Sequence, residues 1–179
     1  MKRPPRYDLP KAAPEPLRLV QLFLNTTDHE HGRELIGNPV ALRAWLVERD
    51  LEPGRVGPAG VRRAHDLREA LHTLVAERRT THPLREAATR ARLTVDFDSR
   101  RLVPQATGVD GALGAIVAVA YEAMRDGSWE RLKACRNCRW AFWDESRNRS
   151  AQWCSMQLCG NRLKVRRYRS RRATPRSAR

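Results

Sequence analysis

The residues with the most chemistry to offer are four cysteines, the only ones in the chain, arranged as Cys135-x2-Cys138, fifteen residues, then Cys154-x4-Cys159. Two or four intervening residues let each pair sit on a tight turn with both sulfurs facing one point. Two such turns make the tetrahedral four-thiolate set of a structural zinc site. A disulfide framework, buried bystander cysteines and a redox-active dithiol are the rival readings. Neither of the first two accounts for the lack of cysteine in the first 134 residues. The opening residues, Met1, Lys2, Arg3, Pro4 and Pro5, contain no apolar export segment, so a reducing, cytoplasmic and nucleoid-associated setting is expected. One structural Zn2+ is the expected cofactor.

Charge singles out the same end of the chain. The 179 residues carry a formal net charge of +15, of which residues 131–179 supply +13, from 15 Lys and Arg against 2 acidic residues. An unbalanced run of arginines is the electrostatic footprint of a polyanion partner, since each neutralised phosphate releases condensed counterions. Nucleic acid, double-stranded DNA first, is the expected partner. A membrane is not expected: the longest apolar stretch, Ala112 to Ala120, is far shorter than the ~20 residues that span a bilayer.

These groups must be positioned by the elements upstream. Residues 1–16 hold five prolines between charges and read as a disordered arm. Leu17 to Asn25 turns apolar and predicts a buried helix, ended by Asn25, Thr26 and Thr27. Asn38-Pro39 is a helix start, with Asn as cap and proline at the first helical position, and Leu42, Trp45 and Leu46 face inward. Val61, Ala64, Leu67, Leu71, Leu74 and Val75 recur at helical spacing in a helix from Pro58 to about Arg79. A shorter helix follows from Pro83 to Ala91. Leu93 to Phe97 alternates and turns through Asp98-Ser99-Arg100 into Arg101-Leu102-Val103, predicting a β-hairpin. Asp110 to Arg125, with Leu113, Ile116, Val117, Val119, Ala120 and Met124, is apolar nearly all round and reads as the central helix, stopped by Gly127. Ser128 is expected to cap a short helix leading to Cys135. The fold class is therefore mainly α with a small β-hairpin (α+β) over residues 17–127. A small four-cysteine zinc module ending in a basic helix occupies 128–172, and 173–179 form a disordered tail.

About 40 residues cannot bury enough apolar surface to fold alone, so zinc would serve as the module's core. Trp140, Phe142 and Trp143 between the pairs predict a strand packed over the metal. Gly160 suits a tight knuckle in which amides point at thiolate sulfur. Beyond it, Arg162, Arg166 and Arg169 would share one face of a basic helix, with Arg167 and Arg171 beside it. The candidate nucleic-acid contacts are Arg147, Arg149, Asn161, Arg162, Lys164, Arg166, Arg167, Arg169, Arg171 and Arg172.

Cys135-Arg-Asn-Cys138, Trp140-Ala-Phe142, Ser146 to Ser150, Trp153-Cys154-Ser155-Met156 and Cys159-Gly160-Asn161-Arg162 closely resemble the CGNR zinc finger. Phe23-Leu24-Asn25-Thr26 and Ala44-Trp45-Leu46 resemble the ABATE domain that precedes that finger in its family. The resemblance implies a bacterial, stress-responsive transcription regulator whose finger binds DNA through zinc held by Cys135, Cys138, Cys154 and Cys159. It also implies an upstream domain that senses a small molecule, whose site is unknown.

No nucleophile elbow, phosphate-cradling loop or carboxylate–histidine set points to an enzyme. Gly108, Gly111 and Gly114 precede an apolar helix and are read as close helix packing. His29 and His31, beside Asp28 and Glu30, are read as a solvated polar loop, and His65 and His72 as boundary residues. Two alternatives remain. One is an RNA-binding ribbon in which Trp140 and Trp143 stack on bases; the other is a ligand-sensing or protein-interaction module with a basic tail. A homodimer is a further candidate assembly.

Overall fold

The computed structural model describes residues 11–161. Five helices form the body: α1 (Leu17–Leu24), α2 (Pro39–Val47), α3 (Pro58–Glu77), α4 (His82–Ala91) and α5 (Gly108–Asp126). Three two-stranded antiparallel hairpins are set among them: β1 (Thr27–Asp28) with β2 (Arg33–Glu34), β3 (Leu93–Asp96) with β4 (Arg101–Pro104), and β5 (Leu132–Ala134) with β6 (Ala141–Trp143). The hairpin predicted at 93–103 is β3–β4, in the register Leu93↔Pro104 to Asp96↔Arg101.

Local chemistry sets the start of α2 and the end of α5. The Asn38 side chain accepts a hydrogen bond from the Ala41 amide at 2.9 Å, and Pro39 occupies the first helical position, where an absent N–H costs nothing. α5 ends at Gly127, which takes the left-handed conformation at φ +79°. The close-packing reading of the glycines holds at two of them. A Cβ on Gly111 would lie 2.2 Å from the Ala106 carbonyl oxygen, and one on Gly114 would lie 2.2 Å from the Ala91 Cβ. α4 and α5 touch through that second contact.

α5 packs against α1, α3, α4 and β4. Around it Val20, Phe23, Leu24, Ile36, Leu42, Leu46, Leu71 and Ile116 are fully buried. Burying a side chain of that size contributes about 1.5–3 kcal/mol, so this cluster dominates the stability of the body. Phe23 and Trp45 meet in it with ring centroids 5.6 Å apart.

Several expectations are corrected. Met124 is exposed rather than inward, and Tyr121 is more so, because these two lie on the outward face of α5, while Ala120 and Ala123 beside them are in the core. No capped helix runs from Ser128 to Cys135: Ser128–Arg131 is one 3-10 turn, and strand β5 carries the chain to the first cysteine. The β1–β2 hairpin replaces the open loop expected at 28–31, closed by Asp28, which accepts from the amides of Glu30 and His31 and meets His31 Nδ1 at 2.6 Å. His72 is 2% exposed, not a boundary residue. Within the arm expected to be disordered through residue 16, Lys11 donates to the Trp153 carbonyl and Ala13 lies in the core, while Ala12, Pro14, Glu15 and Pro16 are exposed. The basic helix and the tail expected beyond Asn161 lie outside the described residues.

Candidate metal centre and its basic surroundings

The β5–β6 hairpin builds the first half of the site. Its register, Leu132↔Trp143, Lys133↔Phe142 and Ala134↔Ala141, continues into the turn, where the Cys135 amide donates to the Trp140 carbonyl and the Arg139 amide to the Cys135 carbonyl. Cys135 and Cys138 therefore sit on one tight knuckle. Closing that knuckle requires Arg139 to adopt φ +63°, the left-handed region where glycine is most at ease. Gly160, expected to serve that purpose in the second knuckle, is not among the left-handed residues. Space is what it supplies: a Cβ there would meet the Met156 sulfur at 2.9 Å. The second pair is joined by a single π-helical turn, Met156–Gly160, begun by Ser155, whose hydroxyl accepts from the Leu158 amide.

All four cysteines are buried, and their sulfurs lie within 4.8 Å of one another. Cys138 to Cys154 is 3.7 Å, Cys154 to Cys159 is 3.6 Å and Cys159 to Cys138 is 3.6 Å. A tetrahedron with zinc–sulfur bonds of about 2.3 Å has edges of about 3.8 Å, which these separations match. They are far longer than the bonded ~2.05 Å of a disulfide, and none of the four cysteines forms one.

The titration of the sulfurs points the same way. Hydrogen bonds from the Cys138 and Cys154 thiols, helped by the Cys154 and Asn137 amides, hold Cys135 far below the usual thiol range. The thiols that donate to it resist ionisation: Cys138 is pushed up to about 11 and Cys154 higher still. One thiolate is easy here, and four together require a compensating cation. N–H groups already aim at the sulfurs, from the amides of Asn137 and Cys154 to Cys135, from Trp140 to Cys138, and from Asn137 Nδ2 to Cys159 at 3.6 Å. Such donors spread thiolate charge and orient the ligands. Asn137 does not stand out in the sequence, although its place inside the first pair is a usable signal.

Around the sulfurs lie Trp140 and Phe142, with Ala151, Trp153 and Leu158 at the margin. The packing expected of Trp140 and Phe142 is what the structure has: they are 8% and 2% exposed, which removes Trp140 as a stacking platform for bases. Trp143 points the other way, against the core of the body.

The loop between the pairs is organised by Asp144, whose side chain is fully buried. Burial opposes its charge. The Ser146 hydroxyl, the Lys133 ammonium at 2.9 Å and the amides of Ser146 and Ala151 outweigh it and bring the carboxyl down to about 2. Lys133 also donates to the Arg149 carbonyl, and Arg131 to the carbonyls of Asp144 and Ser146. Arg147 and Arg149 stand exposed on this loop, with Asn161 exposed beyond the second knuckle. Arg136 is a further exposed cation at the first knuckle, beyond those expected from the sequence. Arg162, Lys164, Arg166, Arg167, Arg169, Arg171 and Arg172 lie outside the described residues.

The histidines form no second metal centre among the described residues, where the four cysteines are the one clustered ligand set. No helix there is long and apolar enough to cross a membrane.

Fold and site together define a mainly helical body that carries a four-cysteine zinc finger. Residues 17–127 match the family model described as "Putative stress-induced transcription regulator" (ABATE), and residues 131–172 match that of the CGNR zinc finger. The chain belongs to the ABATE family, with a CGNR zinc finger as its C-terminal part and one structural zinc as its cofactor. No curated protein matches it.

Proposed function

We propose that this regulator binds double-stranded DNA, with Cys135, Cys138, Cys154 and Cys159 holding the zinc that folds the finger. The observation that carries the reading is the union of a tetrahedral sulfur set with the basic end of the chain, where 15 of the 35 Lys and Arg lie within residues 131–179. In this reading residues 17–127 are the regulatory body and 128–172 the DNA-binding part, a division that the family matches at 17–127 and 131–172 support. Arg147 and Arg149 meet phosphate from the loop between the pairs. Asn161, Arg162, Lys164, Arg166, Arg167, Arg169, Arg171 and Arg172 extend the contact along the duplex. Zinc neutralises the thiolates and contributes folding energy; it takes no part in a reaction.

The buried Trp140 weighs against base stacking and so favours duplex DNA over the RNA alternative. Stress or ligand responsiveness belongs to the body. There a crevice of about 100 Å³ between α3, α4 and α5 is lined by Arg63, Asp66, Glu86, Arg90 and Asp110. This is where an effector with both charges would be sought. Genomic-fragment selection with zinc-loaded protein, beside a metal-stripped control, tests the reading. A recovered motif that disappears on stripping supports it, and zinc-dependent retention of RNA in preference to duplex would replace it.

A further inference from the structure

The finger is not hung on the body by a tether. Its hairpin belongs to two cores at once, because alternate residues of a strand face opposite sides. On β6, Phe142 joins the sulfur cluster, while Ala141, before it, and Trp143, after it, face the core of the body, as Leu132 does on β5. The β5-facing edge of β6 is paired, and its other edge meets the body through two carboxamide side chains and the Lys11 carbonyl instead of a third strand. Asn25 Nδ2 donates to the Ala141 carbonyl at 2.9 Å, and the Ala141 amide donates to Asn25 Oδ1 at 2.8 Å. One carboxamide thus satisfies both backbone groups of one residue, as a neighbouring strand would. Gln21, one turn earlier on α1, donates to the same carbonyl at 3.2 Å and to the Lys11 carbonyl at 3.0 Å. Its Oε1 accepts from the Ala13 amide, and the Lys11 carbonyl receives the Trp143 amide. Asn25 and Gln21 are each 7% exposed.

The same helix end is held from behind. Thr26 accepts from Arg68 at 2.9 Å, Arg68 forks onto Glu34 at 2.8 and 2.7 Å, and His72 Nε2 meets the Leu24 carbonyl at 3.1 Å. The next residue of α3, Glu69, reaches Arg139 in the knuckle at 3.0 Å. The buried carboxamides of Asn25 and Gln21, with their partners in place, specify one arrangement, since any shift leaves donors and acceptors unpaired in a dry site.

We infer that Asn25, seconded by Gln21, is the positioning residue that fixes the finger on the body, so that metal loading and the packing of α1 are one equilibrium. A change at either end is felt at the other: metal loss frees the β6 edge and loosens α1, and a disturbance of α1 weakens the metal site although no ligand is touched. This rests on the zinc-site reading of the four cysteines and is independent of DNA binding.

The test uses the full chain and two readouts. Cobalt(II) is bound first and displaced by zinc, following the tetrahedral cobalt–thiolate absorption, in the wild type, Asn25→Asp, Asn25→Ala and Gln21→Ala. Asn25→Asp keeps the acceptor for the Ala141 amide and turns a carboxylate toward the Ala141 carbonyl. Metal affinity should fall by about ten- to hundredfold in both Asn25 variants, the scale expected when a buried backbone donor and acceptor lose their partners, and by less in Gln21→Ala. Hydrogen exchange of the wild type with and without zinc needs no variant to fold. Amides of residues 20–26 should lose protection together with those of 132–143 when zinc is withdrawn. Unchanged affinity in the Asn25 variants, or exchange confined to residues after 131, overturns the inference. A wild type that takes up no cobalt overturns the zinc reading instead.

Discussion

The body and the finger solve the same problem with different means. Around α5 the body collects more than twenty buried apolar residues, and its order rests on the area they remove from water. Around the four sulfurs the finger has Trp140 and Phe142 and a few half-buried neighbours. A set this small is not expected to offset the entropy of its loops without a metal at its centre, whereas the body has a large apolar core of its own. The contrast teaches where each region is vulnerable: the body to a loss of volume, the finger to a loss of coordination.

The largest effect should therefore come from the metal. Chelation, or Cys135→Ser, should unfold residues 132–161 and abolish DNA binding, because structural zinc sites are worth on the order of 10 kcal/mol near neutral pH. Tryptophan fluorescence and fragment binding would read both losses, and a Cys135→Ser protein that binds as the wild type does would sink the contrast. Next in size is a deletion in the body. Phe23→Ala removes a fully buried ring that meets Trp45 at a tilt and should cost about 3–5 kcal/mol in denaturant unfolding. A cost below about 1 kcal/mol would mean that the body is not held by its apolar core.

Acid should act on the body through His72. Burial, the largest influence, lowers its pKa from 6.5 to about 4; Glu69 and the Leu24 carbonyl oppose this, and Arg139 and Arg68 reinforce it. Its folded pKa lies below the unfolded one, so its neutral form stabilises fully above pH 6.5, and that contribution is lost as pH falls toward 4. The loss amounts to about 3 kcal/mol, and it should be missing from the stability profile of His72→Gln measured at saturating zinc. Parallel profiles for the two proteins between about pH 6.5 and 4.5 would remove His72 as the cause. Smallest of all are the exposed cations. Arg139→Ala breaks an exposed pair with Glu69 and should change stability by less than about 1 kcal/mol. Replacing Arg147 and Arg149 with Ala should leave stability alone and flatten the dependence of log K on log salt by about 0.9 for each phosphate that is no longer neutralised. An unaltered slope would take these two residues off the interface.

Much of this was legible in the sequence, and what was not has a common cause. Cysteine spacing revealed the ligand set because each pair is a local turn, and the α3 and α5 stripes and the Asn38 cap are local as well. Asn25 reads in sequence as a helix terminator, and it is one; its partner Ala141 lies 116 residues away, beyond any periodicity. His72 resembles a boundary residue in sequence because histidine carries no mark of burial, and what buries it is the end of α1 and its neighbours. Strands of two residues, as in β1–β2, are too short to show alternation. Lys11 and Ala13 sit in a proline-rich stretch whose composition speaks of disorder, yet they lie against the finger's hairpin and Gln21.

Asp144 has a consequence for recognition itself. By gathering the loop around a buried carboxylate, the fold spends the conformational entropy of residues 144–151 before any partner arrives. In the proposed complex the exposed side chains of Arg147 and Arg149 would meet a polyanion from a backbone that is already closed. Only side-chain rotamers remain to be ordered on contact, so more of each ionic contact is retained as affinity. The same rigidity sets the spacing between the two arginines, and with it which pairs of charges along a helical backbone they can meet together.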